Sequence, residues 1–129
     1  MNTIERICKD LGLPKGDRFT QDWGLELPEK YRTKEWLNKY ITAYSNNNYS
    51  KMEKNILMEL MLDIANDFLT QNVRCDDESI INVLNLLSNN HQYHSQLIDY
   101  WSLDEESLED CFALTPKIRE IKNRLYNLS

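Results

Sequence analysis

The chain has 129 residues, 41% hydrophobic and 28% charged, a balance that suits one buried core and argues against disorder. Its formal net charge of −6 disfavours a general affinity for nucleic-acid phosphate. No apolar run approaches the roughly 18 residues of a membrane span, and the N-terminus has no secretory-signal pattern, so a cytoplasmic protein with no membrane association is expected.

Residues 1–129 are expected to form a single all-α domain, a bundle of about six or seven helices. Ile4, Ile7, Cys8 and Leu11 follow helical spacing, with Thr3 as N-cap and Gly12 just past the end. All three glycines, with Pro14 and Pro28, lie between residues 12 and 28, so backbone irregularity is confined to a loop segment over 12–32. Trp23 falls in this loop outside any apolar stripe and is expected to close over the core.

Thr33 caps a second helix with the stripe Trp36, Leu37, Tyr40, Ile41 and Tyr44, and Asn46–Asn48 end it. Ser50 and Glu53 form a capping box that opens the central core helix, 51–71, whose stripe is Ile56, Leu57, Leu60, Met61, Ile64, Ala65, Phe68 and Leu69. The remainder, 76–128, is predicted to stack as acidic antiparallel helical hairpins. Asp76 or Asp77 caps the first of these helices, with Ile80, Ile81, Val83, Leu84 and Leu87 on its apolar side. A fifth helix spans about His91 to Trp101. A capping box of Ser102 and Glu105 predicts a short sixth helix, with Leu108, Cys111, Phe112 and Leu114 apolar. Thr115 and Pro116 open the last helix, with Ile118, Ile121, Leu125 and Leu128 in its stripe.

Charge is distributed unevenly along these elements. From Cys75 to Pro116 there are nine carboxylates and no Lys or Arg, while the rest of the chain holds 12 acids against 15 bases. Asp76, Asp77 and Glu78 are accounted for by the positive end of a helix dipole. Asp104, Glu105, Glu106, Glu109 and Asp110 are too many for that explanation, because like charges at such spacing repel one another. A surface without a binding role normally intersperses both signs. Asp99, Tyr100, Asp104, Glu105, Glu106, Glu109 and Asp110 are therefore the candidate partner-binding residues, with Tyr93 and Trp101 as neighbouring aromatics.

No catalytic constellation accompanies the acid. The chain has no nucleophile elbow, no phosphate-cradling glycine loop and no motif-placed Cys with His, so it is expected not to be an enzyme and to need no cofactor. His91 and His94 share a helical face but lack the third and fourth ligands of a zinc site, and no metal is expected; both are taken as partly exposed. Cys8, Cys75 and Cys111 are odd in number and sit among apolar residues, as reduced structural thiols do.

Three stretches, QDWGLEL at 21–27, LMELMLDIANDF at 57–68 and DYWSLDEESLEDCFALTPKIREI at 99–121, resemble small acidic helical immunity proteins of bacterial polymorphic-toxin and contact-dependent inhibition systems. The resemblance implies a cytoplasmic protein that binds a cognate toxin domain and blocks it. It also implies that Asp22, Trp23, Trp101, Asp110 and Phe112 are framework positions, with the acids around them selecting the partner. Combined with the charge pattern, this predicts a monomeric inhibitor that covers a basic toxin surface with its acidic face. The competing expectation is a regulatory adaptor, or a nucleic-acid mimic that occupies the basic groove of a host or phage enzyme.

Overall fold

A computed structural model describes residues 3–13, 27–46, 48–71, 77–107, 109 and 111–126. Among the described residues the architecture is all-α, with six α-helices, 3-10 turns at Glu29–Tyr31 and His91–Tyr93, and no strand. The helices are α1 Thr3–Leu11, α2 Lys34–Asn46, α3 Lys51–Thr70, α4 Glu78–Asn89, α5 Ser95–Ser102 and α6 Thr115–Leu125. The chain divides into two compact units, Met1–Ile64 and Ala65–Ser129.

In the first unit, local signals set the helix boundaries. Gly12 ends α1 at φ 71°, and the Leu13 N–H returns to the Cys8 carbonyl at 2.9 Å, the bond that closes a left-handed helix terminus. Thr33 Oγ1 accepts the Trp36 N–H at 3.2 Å to start α2, which buries Leu37, Tyr40, Ala43 and Tyr44. The Tyr40 hydroxyl donates to the Tyr31 carbonyl at 2.6 Å, and burial pushes its pKa well above the ordinary phenol value. Trp36 stands edge-on to Tyr31, their ring centroids 5.1 Å apart.

The capping box predicted at α3 is present in both directions: Ser50 N–H donates to Glu53 Oε1 at 2.8 Å, and Glu53 N–H donates to Ser50 Oγ at 3.2 Å. The middle of α3 is buried more widely than a single stripe. Met58 and Leu62 are as inaccessible as Leu57, Leu60, Met61, Ile64 and Ala65, whereas Phe68 and Leu69 near the end are half-buried. Each fully buried Leu, Ile or Met contributes about 1.5–3 kcal/mol, so this segment is a substantial part of the hydrophobic stabilisation.

In the second unit, Asp77 caps α4 by accepting the Ser79 N–H at 2.9 Å, while Asp76 lies outside the described residues. Ile80, Val83 and Leu87 form the buried stripe; Ile81 falls off it and is exposed, contrary to expectation. The fifth helix is shorter than predicted. His91–Tyr93 form a 3-10 turn, and α5 begins only after His94, whose N–H bonds the His91 carbonyl at 3.0 Å. The last helix packs against α5 and α4. Lys122 meets Asp99 while Arg119 meets Ser102, so α5 and α6 run antiparallel. Asn66 Oδ1 at the end of α3 accepts the Leu114 N–H at 3.0 Å, anchoring the entry to α6.

The predicted capping box of Ser102 and Glu105 does not open a helix: residues 103–107 are turn, bend or irregular, and Glu109 alone of the described residues beyond them and before α6 has 3-10 conformation. Ser102 is buried in the last turn of α5, and its hydroxyl donates to the Asp99 carbonyl at 3.1 Å, so it is unavailable as a helix start. Leu103 then takes a left-handed conformation at φ 42°, ψ 53°, and the Glu106 N–H closes a turn onto the Leu103 carbonyl at 2.9 Å. Leu108 lies outside the described residues.

Candidate functional site

The candidate face is built on α5 and the segment that follows it. Leu97, Ile98, Trp101 and Ser102 occupy the buried side of α5, which leaves Asp99 and Tyr100 on the exposed side. Tyr100 is 57% exposed although its ring packs against Trp101 at 5.4 Å and Phe112 at 5.7 Å between centroids. Trp101 and Phe112 approach to 4.7 Å, so three aromatic rings form one cluster with an accessible edge. The Trp101 indole N–H is buried without an acceptor among the described residues.

Three side chains of α6 hold the end of this face. Thr115 Oγ1 donates to the Trp101 carbonyl at 2.8 Å in a buried hydrogen bond. Arg119 donates through Nε to the Ser102 carbonyl at 2.6 Å and through Nη2 to the carbonyls of Leu103 and of Glu106, the latter at 2.8 Å. A guanidinium at a helix C-terminus satisfies carbonyls that have no partner within the helix and opposes the negative end of the dipole. It also secures Leu103, because a non-glycine residue in the left-handed region costs on the order of 1–3 kcal/mol and persists only when its surroundings determine it.

Lys122 changes the electrostatic picture. Its ammonium bonds Asp104 and lies 3.1 Å from Asp99 Oδ1. That hydrogen bond holds the Asp104 carboxyl below its ordinary pKa and raises the pKa of Lys122. The expectation of a belt without internal cations is therefore corrected: Asp99 and Asp104 share the single ammonium of Lys122, which offsets one of their two charges. Glu105, Glu106 and Glu109 are exposed, and no ion pair to their carboxylates occurs among the described residues. Asp110 lies outside the described residues. Arg119 and Lys122, absent from the sequence-based set, share a face of α6 at a spacing of three residues, but nothing local ties that face to residues 99–106.

The other candidate groups are placed differently from expectation. His94 is buried at the start of α5 and His91 is half-buried, edge-on to Tyr126 at 6.2 Å, so the view of both as partly exposed holds only for His91. Among the described residues no group of three or more His, Cys, Asp or Glu side chains is arranged to hold a metal ion. Cys8 is buried as a small apolar side chain, whereas Cys111 is half-exposed, its thiol 3.1 Å from the Ser107 carbonyl and 3.5 Å from Arg119 Nη2. Cys75, Asp22 and Trp23 lie outside the described residues.

Within the first unit, Asp10 and Leu11 of α1 and Trp36, Lys39 and Thr42 of α2 line a wide-mouthed groove of about 580 Å³. Its polar groups are already engaged: Tyr49 donates to Asp10 at 3.0 Å, and the Lys39 ammonium lies 4.1 Å from the Trp36 ring centroid. No helix among the described residues is long and apolar enough to cross a membrane. Compared with known proteins, the chain matches no family model, no curated protein and no solved structure.

Proposed function

We propose that the protein is a binding inhibitor of the immunity-protein kind, a cytoplasmic monomer that neutralises a cognate bacterial toxin domain by covering a basic surface of that toxin. The observation that carries this reading is one exposed acidic segment, Glu105, Glu106 and Glu109, whose carboxylates have no ion pair among the described residues, joined to the exposed aromatic Tyr100. Exposed like charges of this density raise the association rate with a cation through long-range attraction. The exposed Tyr100 ring, on the helix that precedes them, supplies contact area from which binding energy comes, since rim charges alone add little. In this reading the protein works by occlusion, with no cofactor and no reaction of its own.

Two columns test it, one bearing the wild-type chain and one bearing Glu105→Lys, Glu106→Lys, Glu109→Lys, each loaded with lysate of the native cell. A basic protein held by the first column, lost from the second and released by moderate salt is the expected result. Equal retention on both columns would exclude this face.

A further inference from the structure

We propose that Arg119 is the positioning residue of the docking face: it shapes the acidic segment by binding its backbone while leaving its carboxylates available to a partner. The inference rests on the reading that this face receives a basic protein. Arg119 and Lys122, three residues apart on α6, use their charges in opposite ways. Lys122 is spent on the carboxylates of Asp99 and Asp104. Arg119 directs its guanidinium to the carbonyls of Ser102, Leu103 and Glu106 and makes no ion pair among the described residues. Only a planar fork of several N–H groups can bind carbonyls on both sides of the left-handed turn at Leu103. Without it, Glu105 and Glu106 would repel one another on an unsupported turn, and ordering that turn would have to be done at the moment of binding.

A bare-charge account and a positioning account predict opposite signs for one substitution. Arg119→Gln makes the face more negative by one charge, so charge alone predicts tighter binding of a cation. Positioning predicts weaker binding. The probe is fluorescein-labelled nona-arginine, titrated by anisotropy at low salt against the full chain. Arg119→Gln is expected to weaken binding at least threefold, and Arg119→Lys, which keeps the charge and loses the fork, is expected to weaken it similarly. Amide exchange at Glu106, whose N–H bonds the Leu103 carbonyl, should accelerate at least tenfold in both variants. Should circular dichroism show Arg119→Gln to be unfolded, Arg119→Lys carries the same comparison alone. Unchanged or tighter binding, or unchanged exchange at this amide, overturns the proposal. The Glu105→Lys, Glu106→Lys, Glu109→Lys chain separates the two levels: if it binds nona-arginine as well as wild type does, the docking face itself is wrong. If it loses binding while the Arg119 variants do not, only the positioning role is wrong.

Discussion

Arg6 and Glu53 meet through the same carboxylate oxygen that starts α3: Arg6 Nη1 lies 2.7 Å from Glu53 Oε1, which also accepts the Ser50 N–H at 2.8 Å. Arg6 further donates to the Asn48 carbonyl at 3.1 Å and sits over the Tyr49 ring, 5.0 Å from its centroid. One buried glutamate thus caps a helix and anchors α1 to the turn that precedes α3.

Glu53→Ala removes both the cap and the ion pair and is expected to destabilise the protein by about 2 kcal/mol, within the range for loss of a cap together with a charged hydrogen bond. Glu53→Gln keeps an acceptor for the Ser50 N–H and loses only the charge. Because Arg6 is 41% exposed, the ionic part is screened, and this variant should cost less than about 1 kcal/mol. Urea unfolding of both variants decides the matter; equal losses would show that the charge, and not the cap, dominates.

Arg32 and Asp63 form a less accessible pair, with side-chain exposures of 11% and 17%. Asp63→Ala leaves the guanidinium partly buried without this carboxylate and should cost about 3 kcal/mol, whereas Arg32→Met with Asp63→Leu should recover most of that loss. A double-mutant cycle in denaturant measures the coupling. A double variant as unstable as the single one would mean that the site depends on charge and not on filled volume.

Three helix starts were legible because each is decided within four residues: Thr33 with Trp36, Ser50 with Glu53, and Asp77 with Ser79 all make the expected bonds. The same local rule failed at Ser102 and Glu105. Their spacing fits a capping box, but burial of Ser102 and the left-handed turn at Leu103 come from α6, which is remote in sequence. For the same reason the acidic residues were legible as a group and their partial compensation was not, since pairing of Lys122 with Asp99 and Asp104 is created by helix packing. The wider burial of Met58 and Leu62 in α3 likewise records neighbours that a helical period cannot identify.

The Asp104–Lys122 pair fixes a pH window. Asp104 has a folded pKa below its ordinary 3.8, so its contribution is present above that value and is lost as pH falls through the folded pKa. Lys122 has a folded pKa above 10.5, so its contribution is present below 10.5 and is lost as pH rises through the folded value. Stability owed to the pair is therefore flat across neutral pH and fades at both extremes. It is small, because the Asp104 side chain is 51% exposed and exposed pairs contribute about 0.2–1 kcal/mol before screening. Carboxyl NMR titration checks the cause: in Lys122→Met the Asp104 midpoint should rise toward 3.8, and in wild type at 1 M salt it should move the same way. A midpoint that ignores Lys122→Met would assign the shift to another group.

Leu103 offers a test of the turn that is independent of charge. At φ 42° it occupies a region that glycine enters freely and β-branched residues strongly resist. Leu103→Gly removes the backbone strain, but it also deletes a half-buried side chain and makes the unfolded chain more flexible, so the net change should stay within about 1 kcal/mol. Leu103→Val keeps much of the apolar volume and cannot take the conformation cheaply, so it should be the less stable of the two by about 1–2 kcal/mol. Thermal or urea unfolding gives the order directly. If valine proves the more stable variant, the turn is not left-handed in solution, and the bonds from Arg119 to the Leu103 and Glu106 carbonyls would have to be made by a different backbone path.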